Sequence, residues 1–211
     1  PRLLLDECSA NRLAQEGAKV VINYRSDPAG AEATAKECER LSGQPAIAVH
    51  ANLGKVEDCK KLIEKAAEHY GTLDVLVNNA GYEVNADFWD VTEKDYDGVL
   101  DVNLKGPFFT TQFFVQKLRS WKKKGTIVNM SSVHEDVPFP GFAPYCCSKG
   151  GMKMMTRNLM VELAPLGITI NNVAPGAIAT PINQAVLDDP EKKAELMSKI
   201  PLKRLGIPED I

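Results

Sequence analysis

Five short apolar runs recur along the chain: KVVINY (19–24), AIAVHA (46–51), LDVLVNNAG (73–81), TIVNMSS (126–132) and GITINNVAPG (167–176). A strand that reads as a continuous apolar run is covered on both faces, the habit of parallel sheets whose crossovers are helices. The stretches between them carry helix punctuation. Asp27 and Pro28 suit a cap and a first helical residue, and that helix should run to about Leu41 before Gly43 and Pro45 end it. Val56, Cys59, Leu62, Ile63, Ala66 and Tyr70 recur at a period near 3.6, and Gly71 stops them. Thr92 can cap a helix containing Tyr96, Val99 and Leu100, and further helices are predicted from about Pro107 to Trp121 and near 146–163. After Pro175 the pattern becomes a loop and one polar helix, and the closing GIPEDI reads as the start of another. Repeated strand and helix segments predict an α/β domain with helices over a parallel sheet.

A chain of 211 residues can bury one substantial core, and no linker interrupts the pattern, so a single domain over 1–211 is expected. A formal charge of −3 gives no nucleic-acid or membrane footprint. Lys122, Lys123 and Lys124 suit the negative pole of a helix end. No apolar stretch approaches a membrane span, and no secretory leader is read. The cysteines at 8, 38, 59, 146 and 147 lack metal-ligand spacing, and their odd number argues for a reducing cytoplasm. Adjacent Cys146 and Cys147 read as thiols that pack or flank a site. His50, His69 and His134 are too dispersed to suggest a metal centre.

Tyr145 and Lys149 are four residues apart at the start of a predicted helix and share a face. A free phenol is a poor base at neutrality, and a nearby ammonium would favour its ionised form. Ser132 ends the preceding strand, where open parallel sheets place reactive groups, and its hydroxyl could hold a substrate oxygen. A half-exposed helical face explains the Tyr–Lys spacing equally well when taken alone.

The surrounding motifs are more specific. NNAG (78–81), NMSS (129–132), YCCSKGG (145–151) and NNVAPGAIATPI (171–182), in this order and spacing, resemble the short-chain dehydrogenase/reductase family from about Ala14 to the last residue. That resemblance implies a three-layer, Rossmann-like, doubly wound parallel sheet and an oxidoreductase that transfers hydride with NADP or NAD. It makes Ser132, Tyr145 and Lys149 the catalytic serine, tyrosine and lysine, and Asn103 in DVNLKG the helix-bending asparagine that holds a proton-relay water. Within the family, TIVNMSSVHEDVPFPGFAPYCCSKGGMKMMT resembles the bacterial glucose 1-dehydrogenase branch. This implies oxidation of D-glucose at C1 to gluconolactone, with Glu83 and His134 joining Ser132 and Tyr145 around the sugar. Another alcohol, carbonyl or acyl-carrier substrate is the alternative.

An acidic residue ending the second family strand would accept the ribose hydroxyls of NAD. Here Asn23 and Tyr24 are followed by Arg25 and Ser26, which could bind a ribose phosphate, so NADP is preferred while NAD remains compatible. By family position Asn52 and Leu53 would flank the adenine. Asn78, Asn79, Ala80 and Gly81 would pass beside the cofactor, and Pro175, Gly176, Ile178 and Thr180 would sit near its nicotinamide end. Family members commonly pair two long helices into dimers and tetramers. Phe108, Phe109, Phe113, Phe114, Trp121 and the Met-rich stretch after Gly150 could supply such a surface.

The start departs from the pattern. Relatives carry a strand and a Thr-Gly-x-x-x-Gly-x-Gly turn before the helix containing NRLAQEG, whereas residues 2–16 have no glycine before Gly17. Glycines there let the backbone approach a pyrophosphate, and Asp6 and Glu7 would instead bring negative charge towards it. Leu3, Leu4 and Leu5 could form a short substitute strand. The family's last helix and edge strand should follow GIPED, so the sheet is expected to be incomplete at both ends. A cofactor-free scaffold or regulatory fragment is the competing non-enzyme reading.

Overall fold

The computed structural model describes residues 4–180, 183 and 187–211. Its strands are β1 (Val21–Tyr24), β2 (Ile47–His50), β3 (Val75–Asn78), β4 (Gly125–Met130) and β5 (Ile168–Val173). Its α-helices are α1 (Leu4–Gln15), α2 (Pro28–Ser42), α3 (Val56–Tyr70), α4 (Glu93–Leu100), α5 (Gly106–Trp121), α6 (Ala143–Leu163) and α7 (Pro190–Lys199). The α/β order follows the predicted alternation, and each strand is shorter than the apolar run that announced it. Leu4 and Leu5 are helical, so they do not form the substitute strand; Leu3 lies outside the described residues. The strands fall into two sheets, β1–β2 and β3–β4–β5.

Contacts gather the described residues into two compact units. One holds residues up to Ile22, Ala29–Ile47 and those from Pro175 onward. Its interior uses small side chains: Ala14, Ala31 and Cys38 are fully buried. In it α1 packs against a single turn at Pro208–Asp210, the part of GIPEDI that does become helical. Asp189 caps α7 by accepting from the amides of Glu191 and Lys192.

The other unit, Asn23–Pro28 and Ala48–Ala174, carries the parallel sheet β3–β4–β5. The crossover from β3 to β4 contains α4 and α5, and that from β4 to β5 contains α6. Ile63, Phe114, Leu118, Ile127, Leu163, Ile168 and Ile170 form its core. Gly71 ends α3 in the left-handed conformation at φ 73°, donating to Ala67. Thr92 and Asp95 form a reciprocal cap on α4. Lys122 closes α5, also left-handed, and its amide donates to the carbonyls of Leu118 and Arg119.

Between α4 and α5 the chain makes one π-helical turn, Asp101–Lys105. Such a turn inserts an extra residue and re-aims its side chains. Gly106 then begins α5 in close contact with neighbouring backbone: a Cβ there would lie 2.6 Å from the Leu53 carbonyl oxygen and 3.3 Å from that of Asp101. Neither oxygen is a flexible tip that can swing away. Gly106→Ala should therefore destabilise the chain by about 2–3 kcal/mol through overpacking. Gly71→Ala, which meets nothing within 4 Å but has φ +73°, should cost only about 1 kcal/mol. Urea unfolding of the two variants reads the difference, and equal costs would contradict the close approach at Gly106.

Candidate active site

The residues that end β3 and β4 and begin α6 meet inside one unit. Ser132, two residues past β4, caps a short turn at Val133–Glu135, its Oγ accepting from the His134 amide at 3.2 Å. This leaves the hydroxyl hydrogen for another partner. Tyr145 and Lys149 both lie on α6, which begins at Ala143, earlier than the sequence suggested. Tyr145 is half-buried and hydrogen-bonds Ser132. Lys149 is 3% exposed, and its Nζ donates to the Met130 carbonyl at 2.7 Å.

Burial pushes the Tyr145 phenol above its ordinary pKa; the Ser132 hydrogen bond pulls it down, and Glu83 and Cys146 push it up again. Lys149 is not among the groups that shift it. The ammonium lies 5.5 Å from the centre of the tyrosine ring. Burial lowers the Lys149 pKa to about 8, against the opposing charges of Glu83 and Glu135. Glu83 is itself raised by burial, with His134 and Lys149 acting in the other direction.

Asn103, fully buried in the π-helical turn, grips the segment after β3. Its Oδ1 accepts from the Tyr82 amide at 2.8 Å, and its Nδ2 donates to the Tyr82 carbonyl at 2.8 Å and to the Ser148 hydroxyl at 3.1 Å. Both amide hydrogens are thus committed. Glu83, the residue after Tyr82, is held next to the site by that grip. The His134 ring stacks on Phe139 at 4.1 Å and 4°, and Phe139 stacks on Phe142 at 4.0 Å and 7°. His134 also meets the Tyr145 ring edge-on at 6.5 Å. Its Nδ1 lies 3.0 Å from the Val137 carbonyl, which can only accept, so Nδ1 carries a hydrogen and Nε2 is left for another partner.

The sequence missed a polar row beneath these groups. Asn78, Asn129 and Asn172 stand in register across β3, β4 and β5. Asn78 donates to Thr111 at 3.0 Å and to Asn129 at 2.8 Å, while Asn129 donates to Thr156 at 2.9 Å and to Asn172 at 3.3 Å. The signal was available: VLVN (75–78), TIVN (126–129) and TINN (169–172) each end on an asparagine at the same register position of a strand. Asn78 therefore belongs to this row. The phenylalanines that flank His134 were also overlooked.

The expected cofactor contacts divide. Arg25 and Ser26 are exposed, and the Arg25 carbonyl lies 3.1 Å from His50 Nε2. Asn23 spends its amide on the Val49 and Ala51 carbonyls. The Asn52 side chain accepts from the Gly54 amide, and the Leu53 carbonyl faces Gly106. Ala80 and Gly81 follow Asn79 in the same unit. Pro175, Gly176, Ile178 and Thr180 belong to the other unit, where Ile178 pairs with Gly206 and Thr180 accepts from the Asn183 amide.

A nicotinamide cofactor fits part of this chain. Asn79 Oδ1 is buried without a hydrogen-bond partner among the described residues, an acceptor waiting for a donor such as a ribose hydroxyl or a carboxamide. Lys149 retains donors beyond the one given to Met130. The phosphate end fits less well: Leu4–Gln15 is one unbroken helix without glycine.

A sequence profile described as short chain dehydrogenase matches residues 6–191. The chain belongs to the short-chain dehydrogenase family. It is therefore an oxidoreductase of a family that uses NAD(P) on small-molecule substrates. Among its relatives, glucose 1-dehydrogenase 2 of Bacillus subtilis is 39% identical over 203 residues, spanning 96% of this chain and 78% of the relative. The 3beta-hydroxysteroid dehydrogenase 1 of Eggerthella lenta is 41% identical over 207 residues, spanning 98% and 79%. The crystal structure of acetoin dehydrogenase from Enterobacter cloacae superposes with a TM-score of 0.87 at 34% identity, covering 98% of this short-chain dehydrogenase and 80% of that chain. These names span a sugar, a steroid and a small hydroxyketone, so membership fixes the reaction class and not the substrate. No helix among the described residues is long and apolar enough to cross a membrane.

Proposed function

We propose that this short-chain dehydrogenase oxidises D-glucose at C1 to gluconolactone, with NADP preferred and NAD accepted. The convergence of Ser132, Tyr145 and Lys149 with Glu83 and His134 in one unit carries the reading. A sugar hydroxyl entering a partly buried site needs partners. Here Glu83 offers a carboxyl and His134 a ring nitrogen held in place by Phe139.

A nicotinamide, when bound, would supply the acceptor for the hydride that leaves C1 with its electron pair. The Ser132 hydroxyl, already accepting from His134, donates to the substrate oxygen and orients it. The Tyr145 phenolate removes the hydroxyl proton as the C1–O bond becomes a carbonyl. Lys149 holds its positive charge under the tyrosine ring and offers its remaining donors to a ribose. Asn103, with both amide hydrogens committed, positions Tyr82 and Ser148; a relay water beside it would rest on one of its carbonyl oxygens. Arg25 and Ser26, exposed after β1, support the choice of NADP because neither repels a phosphate.

Sugar and non-sugar alcohols assayed with each nucleotide by nicotinamide absorbance test the assignment. Glucose turnover with NADP is expected. Strong turnover of a steroid or an acyl thioester, with none of glucose, would reject the sugar. The unbroken glycine-free helix α1 favours a second reading, a scaffold that binds no nucleotide. Nucleotide titration separates the two: saturable NADP binding removes the scaffold, and a folded chain that binds neither nucleotide supports it.

The same unit supports self-association. Phe114 lies in the core, but Phe108, Met154, Met160 and Val161 are 43%, 61%, 52% and 68% exposed along α5 and α6. A dimer or tetramer is expected from light scattering over a concentration series, and a monomer at every concentration would count against it. The cysteine usage fits a cytoplasmic setting.

A further inference from the structure

We propose that Glu135 is a positioning residue of this site: by binding Ser131, Asn172 and Lys153 at once, it fixes the turn carrying Ser132 and presents a negative charge to Lys149. The proposal rests on the reading of Ser132, Tyr145 and Lys149 above.

Three elements meet at this carboxylate. Its Oε2 accepts from the Ser131 hydroxyl at 2.5 Å and from the Asn172 amide at 3.3 Å, and its Oε1 lies 3.6 Å from Lys153 Nζ. Ser131 follows β4, Asn172 belongs to β5 and Lys153 to α6. The Glu135 side chain is 12% exposed, so these bonds are shielded from water far more than surface pairs are. Its amide donates to the Ser132 carbonyl at 3.0 Å, closing the turn in which Ser132 Oγ receives the His134 amide. Moving Glu135 would move Ser132 with it. Through Asn172 the carboxylate also anchors the asparagine row.

The charge is not cancelled locally. Lys153 is shared with Asp136, which it approaches more closely, so the group of two carboxylates and one ammonium keeps a net negative charge. Lys149 is faced by Glu83 from the segment after β3, by Glu135 from the turn after β4 and by Tyr145 on its own helix; the first two favour its charged form. Glu83 is read above as a substrate partner, whereas Glu135 is tied to Ser131, Asn172 and Lys153 within the protein.

The test follows Lys149 directly and needs no turnover. In the full chain labelled with ¹³C-lysine, the Lys149 resonance is assigned by its loss in Lys149→Met, and its pH titration is followed by NMR. The midpoint is expected near 8 in the wild type. In Glu135→Gln, which keeps the size and an acceptor oxygen, it should fall by about half a pH unit or more. Glu135→Asp keeps the charge one methylene further back and should give an intermediate midpoint. If Glu135→Gln does not fold, the Asp variant decides by the same measurement. An unmoved midpoint overturns the proposal, because loss of packing alone would lower stability and leave the titration in place. Full turnover by Lys149→Met would instead sink the catalytic reading, while leaving the effect of Glu135 on Lys149 measurable.

Discussion

Tyr145→Phe is expected to lower kcat about a thousandfold while the chain stays folded and any nucleotide affinity changes little. The substitution deletes one oxygen from a half-buried ring. Its phenol bonds Ser132, whose hydroxyl still receives the His134 amide, so the structural cost is about 1 kcal/mol. The catalytic cost is larger, because a positioned general base typically contributes a hundred- to ten-thousandfold, of order 10²–10⁴. Single-turnover rates with saturating substrate measure the chemical step, and a loss of less than about tenfold would place the base elsewhere. Burial holds the phenol above its ordinary pKa, so wild-type turnover should climb towards alkaline pH and the variant's residual rate should not.

Lys149→Met should remove turnover as well, and it should change how stability depends on pH. Folded, Lys149 gives up its proton near pH 8; unfolded, it keeps it to about 10.5. Between those values the unfolded chain binds more protons, so wild-type stability rises with pH across that window. Below pH 8 both states are charged, and the folded state carries the whole burden of a buried ammonium. The difference in unfolding free energy, wild type minus Lys149→Met, should therefore grow by about 3 kcal/mol between pH 7.5 and 10.5. Taking the difference removes the opposite trend from Tyr145, whose raised pKa costs stability once unfolded tyrosine ionises. A flat difference would mean that the ammonium is solvated in the folded chain.

The layers of this fold were legible because strand and helix leave separate periods in the sequence. Gly71 and Thr92 act where their chemistry placed them. The chain's opening was harder. Leu4 and Leu5 could serve a strand or a helix, and apolar content alone does not separate the two in so short a run. Ser132, Tyr145 and Lys149 could be named from motif and spacing, but the direction of Lys149 Nζ could not. It depends on the Met130 carbonyl, nineteen residues earlier in the chain. Asn103 could be named from its motif, but the clasp of its carboxamide on Tyr82 and Ser148 comes from contacts that only the folded chain creates. Glu135 carried no signal of its own in the sequence, because its partners Asn172 and Lys153 come from β5 and α6.

The three asparagines in register also bear on how this sheet avoids pairing wrongly. A strand that slips by two residues keeps every side chain on its proper face, so hydrophobic patterning does not penalise the error. Here such a slip would set Asn78 opposite Ile127 in place of Asn129, its present partner. Each amide stranded in the core would cost about 1–3 kcal/mol, on every strand displaced. Matching polar groups thus work as a combination lock: apolar surface drives the strands together, and only one alignment lets them close.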